Sequence, residues 1–163
     1  MLKILYRLNF RQAVLIVSIL SLPLLFLLYR LGFDTYRAAL WAGRIGAIYL
    51  MLAFILYLFL YAISHLPKSS GRQKLVTFTR IYIRFHSSLA AIGSLFIVWH
   101  LAFMLSQVSM TPTGIAGYVT VLALLPLLVT GYMRGRKSSG LRRRMHRYMA
   151  FLFIGAVLIH VFV

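Results

Sequence analysis

Four of the five histidines in this 163-residue chain occur as two pairs with one spacing. His86 and His100 are fourteen residues apart, and His146 and His160 repeat that interval. Fourteen residues of α-helix rise about 21 Å and turn about 1,400°, close to four full turns. Both members of a pair are therefore expected on nearly one face of a helix, about 21 Å apart along its axis. Neutral imidazole is a ligand that suits iron, so each of these four histidines is a candidate metal ligand.

The other side chains exclude many kinds of site. The chain has one acidic residue, Asp34, and no cysteine. Glycosidase and aspartic-protease chemistry need two carboxylates, and magnesium or calcium sites usually need several oxygen ligands. Without cysteine the chain has no disulfide, thiolate nucleophile, iron–sulfur cluster, thiolate zinc site or covalent haem attachment.

An apolar composition predicts that membrane helices carry the histidines. Hydrophobic residues make up 62% of the chain and charged residues 12%, whereas about 25% of a soluble domain is charged. A helix needs about 20 apolar residues to cross a bilayer, and five stretches approach that length. We predict an all-α fold in one domain, residues 1–163. It is an integral membrane bundle of five transmembrane helices, at about residues 13–29, 38–64, 85–106, 114–132 and 145–163.

The positions of the cations predict the orientation of this bundle. Of the 18 Lys and Arg residues, 15 fall at the N-terminus and in the second and fourth loops. Because cytoplasmic loops are enriched in Lys and Arg, we expect a cytoplasmic N-terminus and an outer C-terminus. The expected location is a plasma membrane, the inner membrane of a bacterium, as a multi-pass protein. The net charge of +17 is then explained by topology, so the expected partner is membrane lipid and not nucleic acid.

The topology predicts how the histidines pair. The third and fifth helices are separated by one span and therefore run in the same direction. His86 and His146 then share the cytoplasmic level, and His100 and His160 share the outer level. We expect a b-type haem with two axial imidazoles at each level, between helices 3 and 5, with these four histidines as the metal ligands. Zinc is disfavoured because two histidines per level give too few ligands.

Three arginines are candidates to bind haem propionates. Arg84 and Arg147 flank the cytoplasmic pair, and Arg44 lies about two turns inside the outer end of the second helix. The cytoplasmic excess of cations accounts equally well for Arg84 and Arg147, and snorkelling towards the outer surface for Arg44. His65 has no partner at matched depth, so we expect an interfacial residue.

Two glycines lie near the middle of the histidine-bearing helices. Gly93 lies between the histidines of the third helix, and Gly155 lies between those of the fifth. Each is a candidate for close approach of a porphyrin face or of another helix.

The segment Leu141–Val163, LRRRMHRYMAFLFIGAVLIHVFV, resembles the fifth helix of the ferric-reductase-like transmembrane domain superfamily. That superfamily includes bacterial MsrQ-type haem subunits and the membrane portion of NADPH oxidases and ferric reductases. Residues 80–105 are similar to its third helix, with His86 and His100 at the two ligand positions. GIAGYVTVLALLPLLVTG is similar to its fourth helix. The resemblance covers residues 75–163 and implies a haem-bearing bundle that moves electrons across the membrane.

The chain departs from this superfamily in two respects. The family usually has a sixth helix, whereas this chain stops three residues after His160. We therefore expect a partner subunit to cover the open side of the outer haem. No Gly-x-Gly-x-x-Gly pattern is present, so we expect no flavin or nucleotide site in this chain. Electrons would come from a separate flavoprotein or a quinol, and a quinone is a further candidate partner.

We therefore expect a diheme b-type membrane cytochrome, the electron-transfer membrane component of an oxidoreductase, with no catalytic residue of its own. Within the same chemistry, the alternative is a cytochrome b-like subunit of a quinol-oxidising complex. The alternative from another class is a non-redox membrane scaffold or an ion- or proton-conducting subunit. In that case the histidines would serve interhelical contacts or a relay.

Overall fold

The computed structural model describes residues 9–30, 34–105, 110–136 and 139–163, without the side chains of residues 22, 24–30, 35 and 136. Those ranges contain five α-helices and no strand, which confirms the all-α prediction. The helices are α1 (Phe10–Arg30), α2 (Thr35–His65), α3 (Ser70–Met104), α4 (Pro112–Arg136) and α5 (Gly140–Phe162).

Four of the helices are long and apolar enough to cross a membrane. These stretches are Tyr36–His65, Ser70–Met104, Pro112–Gly135 and Gly140–Phe162. Many large apolar side chains on them are exposed, including Leu95 and Leu122. Four of the five predicted spans thus correspond to helices that are long and apolar enough to cross a membrane. In α1 the apolar stretch Phe10–Ser21 is shorter, and the first span stays a prediction.

Helix caps set the helix boundaries more than bilayer thickness does. The Ser69 side chain accepts from the backbone N–H of Arg72, so α3 begins at Ser70, well before the predicted span at residue 85. Ser139 caps α5 in the same way. Three of the 15 cations that predict the orientation lie outside the described ranges: Lys3, Arg7 and Lys137. Ser106, the predicted end of the third span, also lies outside them.

The chain divides into two compact units, Met1–Gln107 and Val108–Val163. In the first unit α2 packs along α3, and α1 packs against α3. In the second unit α4 packs along α5. The prediction of one domain over residues 1–163 stays a prediction.

The core of the first unit lies where α1 and α2 meet α3. A Cβ atom on Gly93 would lie 3.1 Å from the carbonyl oxygen of Gly46, so glycine lets α2 and α3 approach closely. Of the two roles expected for Gly93, the structure shows the helix contact. Around it lies a buried cluster: Val17, Ala42, Ile45, Ala53, Leu89, Ile92 and Phe96.

Each unit contains a helical hairpin, α2–α3 or α4–α5, whose turn is held by an arginine. Arg72 Nε donates to the carbonyl oxygen of Ile63 at 3.0 Å. Arg142 Nη1 donates to the carbonyl oxygen of Met133 at 3.1 Å. Both acceptors lie in the last turn of a helix, where carbonyls have no partner within the helix. Two of the cations that indicate topology therefore also fasten the hairpin turns.

A pair of hydroxyl groups ties α1 to α2. Ser21 Oγ donates to the carbonyl oxygen of Val17 at 2.7 Å and lies 2.6 Å from Tyr49 Oη. Because the single serine proton is used within α1, the tyrosine hydroxyl donates to Ser21. This bond fixes the height of α1 along the hairpin α2–α3.

We predict that Tyr49→Phe lowers the free energy of unfolding by about 1 kcal/mol, because it removes one interhelical hydrogen bond. Chemical unfolding in detergent measures the change. Ser94→Ala is the matched control, since Ser94 Oγ donates to Ala90 of its own helix. In a double-mutant cycle with Ser21→Ala the two losses should not add. Fully additive losses would show that the two hydroxyls do not stabilise each other.

Candidate functional site

Each histidine pair lies on one unbroken helix. His86 and His100 are on α3, and His146 and His160 are on α5, with no proline between the members of either pair. The expected separation of about 21 Å along each axis is therefore retained. All four rings are half-buried.

In the first unit both rings donate to main-chain carbonyls of the neighbouring helix. His100 Nδ1 lies 2.8 Å from the oxygen of Ala39, and His86 Nδ1 lies 2.9 Å from the oxygen of Ala53. A carbonyl oxygen only accepts, so Nδ1 carries the hydrogen in both rings. In a neutral imidazole of this tautomer, the lone pair is on Nε2.

The second unit repeats this arrangement with one change. His160 Nδ1 donates to the oxygen of Thr113 at 3.2 Å. His146 Nδ1 lies 3.4 Å from the side-chain oxygen of Thr130. The Thr130 hydroxyl donates to the carbonyls of Pro126 and Leu127, at 2.8 and 3.0 Å. Its oxygen therefore accepts from His146, whose Nδ1 carries the hydrogen as well.

Glycine faces three of the four rings. A Cβ atom on Gly43 would lie 2.8 Å from His100 Nδ1. A Cβ atom on Gly117 or Gly131 would lie 3.1 Å from Cε1 of His160 or His146, respectively. These three positions have no side chain that could hold the ring away from the neighbouring helix.

The two hairpins share one register. On α5, His160 comes fourteen residues after His146. On α4, Gly117, which faces His160, comes fourteen residues before Gly131, which faces His146. The acceptors of the first hairpin, Ala39 and Ala53, are also fourteen residues apart. By the same register the position opposite His86 is residue 57, a tyrosine.

Sequence reasoning did not identify the facing glycines or Thr130. A signal was available, since Gly117 and Gly131 in α4 repeat the fourteen-residue spacing of the histidines. The main-chain carbonyls that accept from the histidines cannot be recognised in the sequence, because every residue has one. Gly155 is a predicted point of close approach, but no atom of the described residues would lie within 4 Å of a Cβ at this position.

His65 differs from the other four histidines. It lies exposed at the end of α2, and its Nδ1 is 2.9 Å from the carbonyl oxygen of Tyr61, on its own helix. It is also 3.0 Å from Ser64 Oγ. The ring thus completes the end of a helix and does not reach across a hairpin.

The three candidate arginines are all exposed. The guanidinium carbon of Arg44 lies 5.1 Å from the ring centroid of Trp41, which is a cation–π contact between two exposed residues of α2. Arg84 and Arg147 lie within one turn of His86 and His146 along their helices. Their role in binding propionates stays a prediction.

The only acid of the chain is committed elsewhere. The Asp34 side chain accepts from the backbone N–H of Arg37 and caps α2. Its carboxylate also lies 4.0 Å from Arg37 Nε.

A haem needs fewer ligands from the protein than a metal ion that is held by protein side chains alone. Among the residues that the structure describes, no three His, Asp or Glu side chains gather to hold a metal ion. A haem iron takes its other ligands from the porphyrin and needs one or two axial side chains. Two imidazoles with Nδ1 donating and the lone pair on Nε2 meet that need.

Comparison of the chain with protein-family models, curated proteins and solved structures found no match. The resemblance to the ferric-reductase-like superfamily therefore stays a prediction, and the site is argued from its own residues.

We predict that Gly43→Ala displaces the His100 ring, because the new Cβ would lie 2.8 Å from Nδ1. Overpacking of this kind costs about 1–3 kcal/mol of unfolding free energy. The control is Gly71→Ala in the same unit, where the nearest atom is 3.8 Å away and the helix should be unchanged or slightly more stable. Unfolding curves compare the two variants. Equal stability would show that no close contact exists at Gly43.

Proposed function

We propose that the protein is a diheme b-type membrane cytochrome that carries electrons across a membrane as a subunit of an oxidoreductase. The observation that carries this proposal is the common ring tautomer of His86, His100, His146 and His160. Each donates from Nδ1 to the opposite helix of its hairpin, which assigns the lone pair to Nε2. Metal-ligating histidines almost always have such a second hydrogen bond, which fixes the ring and raises its basicity.

The equivalence of the two hairpins supports the pairing of ligands. His86 and His146 are the first histidines of their helices, and His100 and His160 are the second. We propose that equivalent histidines ligate the same haem, His86 with His146 and His100 with His160. Arg84, Arg147 and Arg44 would bind the propionates by charge-assisted hydrogen bonds.

A haem held by His86 with His146, or by His100 with His160, would supply one-electron chemistry. The part of the chain's own residues is to bind and orient it. The Nδ1 bonds set the plane of each imidazole, and Gly43, Gly117 and Gly131 leave room for the rings beside the neighbouring helix. The apolar helices exclude water from the histidines.

The wider assignment follows from charge and from the resemblance. We propose a bacterial inner membrane with the N-terminus in the cytoplasm, because 15 of the 18 cations fall on one side of the predicted topology. A separate flavoprotein or a quinol would supply electrons. The resemblance of residues 75–163 to ferric-reductase-like domains supports the same assignment.

The rival function is a non-redox membrane subunit whose histidines only join helices. A serine or threonine hydroxyl would join two helices equally well, and Thr120 does so by donating to Ala156 of the other helix at 3.0 Å. Histidine differs from these hydroxyls in having a second ring nitrogen besides the one in the interhelical bond. Four histidines repeated with one register favour a use for that nitrogen.

We predict that His100→Ala and His160→Ala each reduce the haem content from two per chain to one, with the same haem lost in both. The pyridine haemochrome assay counts the haem, and reduced-minus-oxidised spectra identify which haem remains. His65→Ala is the matched control and should keep both, because His65 bonds only within the end of its own helix in the contacts described above.

Three results would contradict this proposal. Absence of haem from the wild-type protein after haem-replete expression would favour the scaffold. Ion conductance in liposomes without a redox partner, together with no haem, would favour the channel. Loss of different haems in His100→Ala and His160→Ala would reject the pairing while keeping the cytochrome.

A further inference from the structure

The four histidines are not held alike, and the difference lies at His146. At His86, His100 and His160 the Nδ1 hydrogen meets a main-chain carbonyl at 2.8–3.2 Å. At His146 it meets the hydroxyl of Thr130 at 3.4 Å.

The register explains how the hydroxyl comes to be there. The carbonyl acceptors Ala39 and Thr113 lie four residues before Gly43 and Gly117, which face the rings. Four residues before Gly131 is Leu127, and its carbonyl oxygen accepts from Thr130 Oγ1 at 3.0 Å. Thr130 thus stands between His146 and the carbonyl that the register offers to the ring.

We infer that Thr130 is a positioning residue that holds His146 through a hydroxyl relay and thereby sets the reduction potential of the haem it ligates. This inference rests on the proposed function. The relay runs from Nδ1–H to Oγ1 and from Oγ1–H to the carbonyls of Leu127 and Pro126. Thr130 is buried, so water does not compete strongly for the hydroxyl.

The direction of the effect follows from the chemistry of the ligand. A hydrogen bond from Nδ1 increases the electron density of the imidazole, which stabilises the ferric state and lowers the potential. A long bond to a hydroxyl does this less than a short bond to a carbonyl. The relay therefore makes the site of His146 less reducing than a carbonyl acceptor would.

The test uses variants that differ by one group. Thr130→Val keeps the shape and removes the relay, whereas Thr130→Ser keeps the hydroxyl. Thr120→Val is the control, because Thr120 is also buried on α4 and donates to Ala116 and Ala156, not to a histidine.

Each variant is placed in two single-haem backgrounds, and the midpoint potential is titrated. In the His160→Ala protein, which keeps the haem of His86 and His146, Thr130→Val should raise the potential. It should also weaken haem binding about tenfold to hundredfold. In the His146→Ala protein the remaining haem should be unaffected. Thr130→Ser should restore the potential, and Thr120→Val should not change it.

A readout without haem accompanies the titration. The ¹⁵N signal of His146 Nδ1 in the haem-free protein should move in Thr130→Val and stay in Thr120→Val. An unchanged potential and signal in Thr130→Val, or equal shifts in Thr120→Val, would overturn the relay while two bound haems still support the cytochrome. A wild-type protein that binds no haem would instead end the proposed function, and the inference with it.

Discussion

An imidazole placed on an apolar helix has to satisfy its N–H without help from water, and this constraint organises both hairpins. An unpaired polar group in hydrocarbon costs several kcal/mol, on the order of the stability of a whole helix contact. A helix carbonyl that already accepts within its own helix retains a second lone pair, which a neighbouring helix can use. Two such bonds, fourteen residues apart, join α2 to α3. A slide of one residue would break both, so the histidines fix the register of the helices that carry them.

The facing glycines follow from the same constraint. In a helix each Cα–Cβ bond is tilted towards the N-terminus, so the side chain of residue i+4 lies over the carbonyl of residue i. Gly43 lies over the carbonyl of Ala39 in this way, and Gly117 lies over that of Thr113. Glycine uncovers the oxygen for the incoming ring. Above Ala53 the corresponding residue is Tyr57, whose ring lies beside Phe54 and Tyr61 of its own helix, at 5.6 and 6.4 Å between centroids. A side chain that turns along its helix is the second way to leave a carbonyl open.

The parts of this arrangement that the sequence predicts are those encoded by local pattern. Apolar length places four helices, and the fourteen-residue interval places each histidine pair on one helix face. The start of α3 at Ser70 depends on the cap at Ser69. A prediction based on bilayer thickness gave only the apolar span from residue 85. The acceptors of the histidines could not be predicted, because every residue has a carbonyl and only the packed register selects one. Gly117 and Gly131 are intermediate, since their spacing matches that of His146 and His160 but acquires meaning only when α4 and α5 are antiparallel neighbours.

The two hairpins differ in the length of helix between the turn and the first histidine. His86 follows the first residue of α3 by sixteen positions, whereas His146 follows that of α5 by six. The turn of the first hairpin therefore lies about 15 Å farther from its first histidine, at 1.5 Å per residue. Although this distance differs, both hairpins have an arginine bonded at the turn. Both also have the fourteen-residue interval between histidines and the bonds from Nδ1 to the first helix of the hairpin. A scaffold would need only some interhelical bonds at any spacing. The hairpins keep the interval and the ring tautomer while the length of the tip varies, and this supports the proposal that the histidines are ligands.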